Sequence, residues 1–566
     1  MHSKLLHLSA GLVLSAAFCT PALADQSKPK GYSTDQPKII LTTGEDLDEW
    51  TFIINADEEE MGNVWVDLNN NGTCDEDEPV TNFGGQIDFT CVDKKITIYG
   101  NITGLNCAQN DLTSIDISGA PQLLKLLAGR NQLKKIDLSH NANLQELYLY
   151  KNQITTLDPT PCQFLLELDV DDNKLNEINL SNCPNLTKFS CTRNAIKTLD
   201  LSSQRNLRIL YCGGNNLTSL DLSKCEELRE ATCANNLLEN ISIAANKKLN
   251  EFYCAANKFT TLDVSQNTKI ELLDCRDNQL TSLDVSNLYE LHTLACGYNR
   301  LNTLTFPIEK DGKHAGLINL YAQSNALSHL ALERTPDIKV LYVMENNFSE
   351  LELELIPQLT LFSCSSNPIK ELSTGANSML RTLGAANAQL KSLDLSSNRA
   401  LMVLQCYGNE INGEAMTAMI ASLPARSAME PGEAFVVNTP KGDKNVIRQA
   451  DVEAAKKIHW QIFNFLDGVN EGRNPYEGVE VGIQTPEVVN PSLSLMSSGR
   501  ALYIKMEGKA TQDQLYVIDA AGRTVLTQKM DKGSNVVALP NLAGGVYVAR
   551  IGQWNRKFSI QYSSSG

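Results

Sequence analysis

Leu207-Arg-Ile-Leu-Tyr-Cys-Gly-Gly-Asn-Asn-Leu-Thr-Ser-Leu-Asp-Leu222 is the stretch whose reading decides the architecture. Apolar residues fall at Leu207, Leu210, Cys212, Leu217, Leu220 and Leu222 around Asn215. Side chains on a strand switch faces at every step, so Leu210 and Cys212 point inward while Ile209, Tyr211 and Gly213 point outward. Asparagine recurs every 21 residues on both sides of this stretch, at Asn110, Asn131, Asn152, Asn173, Asn194, Asn215, Asn236, Asn257, Asn278 and Asn299. The phase resumes after a five-residue insertion at Asn325, Asn346, Asn367, a slot filled by Ala388, and Asn409. A fixed period of this length specifies a solenoid in which each coil stacks only on its neighbours. Fifteen strands about 4.8 Å apart would form one parallel sheet roughly 70 Å long.

The asparagine column has a backbone reason. Where the chain turns out of the strand, its amides and carbonyls point inward and need partners, and a buried carboxamide both donates and accepts. Ala388 therefore marks a weak coil unless the adjacent Asn387 substitutes for it.

Nine cysteines sit three residues before the ladder position: Cys107, Cys191, Cys212, Cys233, Cys254, Cys275, Cys296, Cys364 and Cys406. The remaining coils place Ala128, Leu149, Val170, Ala322, Val343 and Ala385 there, so the slot asks for a small or moderate apolar group, which a free thiol is. An exported chain invites disulfides, and neighbouring strands are close enough to form them. The thiols nevertheless all point the same way, which suits the torsion of a disulfide poorly, and reduced thiols are the expectation. The column lacks histidine and tetrahedral clustering, which argues against zinc. Cys162, Cys183 and Cys225 share a second column eleven residues before the ladder, where other coils carry Asn141, Asn246 or Asn398; these read as satisfied convex-side positions. Cys74 and Cys91 lie outside the repeats, and whether they pair stays open.

A cysteine ladder in 21-residue coils that end Leu-Asp-Leu-Ser or Leu-Asp-Val-Ser resembles the internalin J class of leucine-rich-repeat bacterial surface proteins, over about residues 102–412. The expected fold is an α/β leucine-rich-repeat solenoid with one parallel sheet, a β-rich N-terminal cap, a small α/β C-terminal cap and a terminal β-sandwich. The resemblance implies an adhesin that meets other cells through its concave sheet. The chain departs from that class in lacking a Leu-Pro-x-Thr-Gly wall anchor, so its attachment must differ.

Lys4 followed by the apolar run from Leu5 to Phe18 and by Ala22-Leu-Ala24 reads as a secretory signal over residues 1–24. Residues 25–101 alternate like strands at Lys38–Thr43, Glu49–Ala56, Val64–Leu68 and Lys95–Tyr99, and make the N-terminal cap. Residues 413–466 pattern as the C-terminal cap, residues 467–491 as a linker, and residues 492–566 as short strands with turns. Within the last unit, Leu515-Tyr-Val-Ile-Asp-Ala-Ala-Gly-Arg-Thr-Val-Leu526, Leu539-Pro-Asn-Leu-Ala-Gly-Gly-Val-Tyr-Val-Ala-Arg-Ile551 and Arg556-Lys-Phe-Ser-Ile560 resemble the sorting tail of type IX secretion cargo. That resemblance implies a Gram-negative source, recognition by outer-membrane secretion machinery, export across the outer membrane and a place at the cell surface. The ending departs from the pattern, since Lys557 is followed by Gln561, Tyr562 and a serine-rich extension.

Candidate chemistry is sparse. Asp67, Asn69, Asn71, Asp75 and Glu78, with the Thr73 carbonyl and Gly72 at the turn, fit the spacing of a calcium loop, because hard cations want dense oxygen ligands. The strand-like flanks and Cys74 leave an acid-decorated Asn-Gly hairpin open as the alternative. Otherwise the repeats require no cofactor. Tyr148, Tyr211, Tyr253, Tyr321 and Tyr342 fall four residues before the ladder, Tyr150 and Tyr407 two before it and Tyr298 one before it, which lines the sheet face with aromatics suited to binding. Tyrosine also favours strands in general. Lys125, Glu146, Glu167, Lys188, Glu230 and Glu251 share the outward register six before the ladder, a mixed charge row that reads as a solvated face. The seven histidines bring no pair onto one coil face, and no nucleophile elbow or phosphate loop is present, so the chain does not read as an enzyme.

Lys plus Arg at 49 against Asp plus Glu at 66 gives a net charge of −17, which supplies none of the phosphate contacts that nucleic-acid affinity needs. No stretch beyond the leader approaches the roughly 20 apolar residues of a membrane span. The function expected is adhesion to a protein or glycan on host or neighbouring bacterial cells, with roles in biofilm or host interaction; capture of glycans or peptides as nutrients is the alternative.

Overall fold

The computed structural model describes residues 31–44, 49–90, 93–309, 314–466 and 473–480, and in the C-terminal unit 493–498, 501–506, 514–519, 523–530, 533–539, 545–551 and 554–560. The expected signal at 1–24, Cys91 with its pairing to Cys74, and the tip of the insertion lie outside the described residues. The chain divides into a unit that holds the repeats and both caps and a second unit formed by residues 439–442 and 479–566.

Each of the fifteen coils contributes one short strand, from Ile102–Asn106 to Val403–Gln405, and neighbours pair in parallel with equivalent residues side by side. Glu167 lies beside Lys188, Leu168 beside Phe189 and Asp169 beside Ser190, a register of one full coil. The insertion does not disturb it, because Leu294 still pairs with Leu320. The middle residue of every three-residue strand, and Leu105 in the first, faces inward, and Leu210, Phe252 and Leu341 are wholly buried. Burying such a side chain contributes about 2 kcal/mol.

The asparagines stitch coil to coil. Asn236 Nδ2 donates to the Cys212 carbonyl of the preceding coil at 3.0 Å and to the Cys233 carbonyl of its own at 2.9 Å, and its Oδ1 accepts the Leu217 amide at 3.0 Å. The Cys212 carbonyl also accepts Asn215 Nδ2 at 3.2 Å, so consecutive asparagines use both of its lone pairs. The ladder runs past the repeats at both ends. Asn110 exchanges hydrogen bonds with the backbone of Thr51 in the N-terminal cap. Asn445 of the C-terminal cap accepts the Ile411 amide at 2.8 Å and donates to Cys406 and Val436 carbonyls, a last rung that no 21-residue spacing announces.

At Ala388 the stitch is missing, and Asn387 does not supply it. The Asn387 amide donates to the Tyr407 carbonyl, while the Ile369 amide, which an asparagine at 388 would accept, turns to the Asn367 carbonyl at 2.9 Å. The Cys364 carbonyl keeps only the bond from Asn367 Nδ2 at 2.9 Å where its counterparts hold two carboxamides.

The cysteine column is buried throughout its described length. Burial pushes the Cys233, Cys296 and Cys364 thiols up to about 12, so they stay protonated and unreactive. The second column is satisfied, as its sequence reading expects, and the structure supplies the partners. Asn246 Nδ2 donates to the Leu222 and Cys225 carbonyls and Asn267 Nδ2 to those of Ile243 and Asn246, while the Cys162 and Cys183 thiols donate to the Asn141 and Pro159 carbonyls at 3.4 Å. Asparagine and cysteine interchange there because each is a small donor facing the previous coil. The Leu-Asp-Leu-Ser ending also acquires a cause: Asp200 Oδ1 accepts the Ser202 amide at 2.9 Å, Asp221 that of Ser223 and Asp263 that of Ser265, an Asx turn at each exposed corner.

Both ends are closed. The strand Glu49–Ala56 pairs antiparallel with Ile102–Asn106 on one edge and with Gln86–Thr90 on the other, the latter absent from the sequence reading. Lys38–Thr43 lies between Lys95–Tyr99 and Leu112–Gly119, the descending arm of the first coil, so cap and coil share hydrogen bonds. At the far end helix α1, Gly413–Ser422, leads to the strand Gly432–Val437, and helix α2, Gln449–Lys457, to Trp460–Asn464; both strands extend the parallel sheet. The second unit has two antiparallel sheets, of three and four strands, around Leu502, Ile504, Leu515, Val517, Val537 and Ala549. Among the described residues no helix is long and apolar enough to cross a membrane.

Candidate binding face

The first and third residues of each three-residue strand point away from the core, and Tyr148, Tyr211, Tyr253, Tyr321 and Tyr342 stand at the third position, whereas Tyr150, Tyr298 and Tyr407 lie beyond the strand ends. Strand stacking places equivalent residues side by side, so a side chain's neighbours come from the adjacent coils. Tyr148 donates its hydroxyl to Glu167 of the next coil and Tyr211 does the same to Glu230 Oε1 at 2.7 Å. Tyr253 turns back to Glu251 of its own strand at 2.7 Å. All three rings are half-buried, and burial followed by these carboxylates holds each hydroxyl above the ordinary tyrosine range, so they remain donors.

The other tyrosines fall into separate groups. Tyr321 and Tyr342 stack with centroids 5.5 Å apart and planes 14° from parallel. Tyr407 stacks on Phe465 of the C-terminal cap at 4.4 Å, which makes it part of the cap contact. Tyr150 covers Gly129 of the preceding coil, where a methyl group would run into its ring. Tyr298 is 46 % exposed and sits at the edge of the face in left-handed backbone with φ 56°. The face thus holds Tyr148, Tyr211 and Tyr253 each against a carboxylate, and Tyr321 with Tyr342 as a stacked pair.

The structure adds polar residues that the strand pattern did not single out. Asp169 Oδ1 accepts the Asp171 amide at 3.0 Å, and Asp171 Oδ1 accepts the Ser190 hydroxyl and the Thr192 amide at 2.5 Å. Burial and then the charge of Asp171 push the Asp169 carboxyl up to about 7. Arg276 makes a two-pronged bond to Asp274 beside the stacked pair, at 2.9 and 2.7 Å. Their signal was available, since these positions share the outward register with the tyrosines. The row read as solvated charge includes an ion pair, Lys125 Nζ to Glu146 Oε2 at 2.5 Å.

The calcium-pattern residues come together in the N-terminal cap. Asp67 accepts the amides of Asn71 and Gly72 at 3.1 Å, while Asn69 and Asn71 both donate to Asp75 Oδ2, at 2.9 and 3.1 Å. Glu78 accepts the Leu68 and Asp75 amides at 2.8 Å. Asp67 and Glu78 are buried, and burial raises the Glu78 carboxyl, with Asp67 and Asp75 adding to the rise.

Three solved structures are similar to this chain. The functional domain of InlJ from Listeria monocytogenes, which includes a cysteine ladder, superimposes with a TM-score of 0.53 at 22% identity over 84% of this chain and 94% of that one. A leucine-rich-repeat protein of Leptospira interrogans matches with a TM-score of 0.49 at 24% identity over 54% of this chain and 84% of that one. The internalin InlF of Listeria monocytogenes matches with a TM-score of 0.42 at 20% identity over 58% and 87% respectively. No protein-family model matches the sequence, and neither does any curated protein. The fold is that of a cysteine-ladder leucine-rich repeat, similar to InlJ.

Proposed function

Taking the cysteine-ladder leucine-rich-repeat fold as premise, we propose that this chain is a cell-surface adhesin whose outward sheet face binds a protein or glycan on host or neighbouring bacterial cells. The observation that carries the reading is the placement of Tyr148, Tyr211, Tyr253, Tyr321 and Tyr342 on strands fixed by the asparagine ladder, outward and half-buried. Rings held this way bring large contact area at little entropic cost on binding, which is the composition of binding hot spots. The C-terminal strands, with their resemblance to type IX sorting tails, supply the route by which the outer-membrane secretion machinery would place the chain at the surface.

The test is a full-length triple variant, Tyr211→Ala, Tyr253→Ala and Tyr321→Ala, compared with the parent for binding to target cells. A loss of about tenfold or more with an unchanged melting temperature is the expected result. Equal binding by the variant would remove the face assignment, and binding retained only toward soluble glycans or peptides would favour nutrient capture.

The Asp67–Glu78 loop serves as a calcium site in the same reading. Hydrogen bonds within the loop link Asp67, Asn69, Asn71, Asp75 and Glu78, and two carboxylates are buried there without a basic partner among the described residues; no three of the acidic, His or Cys side chains described stand together as a metal cluster, so the carboxylates would have to draw in around an ion. A divalent cation would supply that partner and bring Glu78 back down. Calcium at 100 times its dissociation constant is expected to stabilise the chain by about 2.7 kcal/mol. A thermal melt with and without chelator checks this; no shift, or the same shift in Asp67→Asn, argues for the plain hairpin.

A further inference from the structure

The outward face is not evenly charged, and its imbalance specifies a kind of partner. At one end Glu146 is neutralised by Lys125, and at the other Asp274 is neutralised by Arg276 at 2.7 Å. Between them the strands hold Glu167, Asp169, Glu230 and Glu251 on the outward face against Lys188, with Asp171 two residues beyond its strand and Arg193 beside it engaged by Asp172, so carboxylates outnumber basic groups on this stretch. Neither those four nor Asp171 forms an ion pair among the described residues, and three of the five take a tyrosine hydroxyl instead.

A tyrosine hydroxyl occupies one lone-pair site of a carboxylate and leaves the others open. It also holds the ring beside the charge. A guanidinium or ammonium laid there gains an ion pair from the carboxylate and a cation–π contact from the ring. The carboxylates form two groups, Glu167 with Asp169 and Asp171, then Glu230 with Glu251. From the strand of Glu167 to that of Glu230 is three coil steps, about 14 Å, which an extended chain spans in about four residues.

We propose that this stretch of the face receives an extended arginine- and lysine-rich segment of a partner protein, with two basic clusters about four residues apart. The proposal rests on the binding face assigned above and names what that face recognises. Its occupant is a polypeptide because the charge groups repeat along the sheet at a spacing an extended backbone matches. A polyamine offers the charge without the guanidinium plane and is an outcome of the test.

Fluorescence anisotropy of the full chain with a labelled Arg-Arg-Gly-Gly-Arg-Arg peptide, whose basic pairs are centred four residues apart, provides the test, with spermine and an equally long glutamate peptide as competitors. Affinity is expected to fall about tenfold or more in Glu230→Gln/Glu251→Gln, to weaken as salt rises, and to fall less in Tyr211→Phe/Tyr253→Phe, which keeps the rings. A carboxamide variant that binds as the parent does, a glutamate peptide that competes equally, or spermine that displaces the peptide at the same concentration each overturns it. Cell attachment that needs the tyrosines and ignores the carboxylates would sink this inference and leave the binding face standing. Attachment indifferent to both would sink the face itself.

Discussion

Asn236→Ala is expected to destabilise the solenoid by about 3 kcal/mol, and Ala388→Asn to stabilise it by about 1 kcal/mol. The first change removes the acceptor of the Leu217 amide and the donor shared by the Cys212 and Cys233 carbonyls, all inside a dry coil. Stranding such a group costs about 1–3 kcal/mol, and a partial repair lowers the sum. The Ala388 coil shows what repair looks like, because the Ile369 amide there reaches the Asn367 carbonyl. Asparagine at 388 would let Ile369 return to a carboxamide and would give the Cys364 carbonyl its second donor. Each coil contacts only its neighbours, so the change is local before it is global. Hydrogen exchange at Leu217 and Ile369, with thermal melts of both variants, reads the two effects; equal exchange in parent and Asn236→Ala would mean that the ladder is ornamental.

The period of the asparagines and the inward alternation were enough to specify coil number, strand position and a single sheet, because packing and hydrogen bonding both impose the same repeat. What stayed hidden were positions where the constraint acts on backbone alone. The residue before each ladder slot adopts left-handed backbone in every coil, yet only Gly214 and Gly408, and more weakly Asn235, Asn387, Asp172 and Asp277, advertise it; Arg130, Lys151, Ala256 and Glu345 take φ between 53 and 56°. Their amides are fixed by carbonyls of the next coil, Ala256 to Arg276 at 2.9 Å among them, and that bond is indifferent to the side chain. Asn445 was missed for a related reason. The cap that carries it obeys no 21-residue period, although its side chain repeats the bonds of a ladder asparagine. On the outward face the tyrosines were legible from register, whereas the coupling of Tyr148 to Glu167 and of Tyr211 to Glu230 depends on the neighbouring coil and appears only once strands are paired.

Trp460 carries the second large effect, through the cap that seals the last coil. Its indole is fully buried, donates from Nε1 to the Pro424 carbonyl at 2.7 Å and lies across the sheet from Gly432, whose backbone it covers. A methyl group at 432 would occupy the space of that ring. Gly432→Ala is therefore expected to destabilise the cap by about 2–3 kcal/mol through overpacking, and Trp460→Ala by about 3–5 kcal/mol through the cavity it leaves. Helix α1 buries Met416, Met419 and Ile420 beneath this cap, and the Cys406 thiol lies 3.9 Å from Met419 Sδ. Cap opening should thus uncover Cys406 while Cys233, far inside the column, stays closed. A 2 kcal/mol loss of cap stability raises the open fraction about 30-fold, and Cys406 should be alkylated faster by that factor when opening and closing outpace labelling. Mass-spectrometric labelling of native protein with iodoacetamide measures both thiols at once. If Cys406 and Cys233 accelerate together in Gly432→Ala, the solenoid and its cap open as one cooperative body and the cap has no separate stability to lose; if neither accelerates, the ring at 460 yields to the added methyl without disturbing the seal.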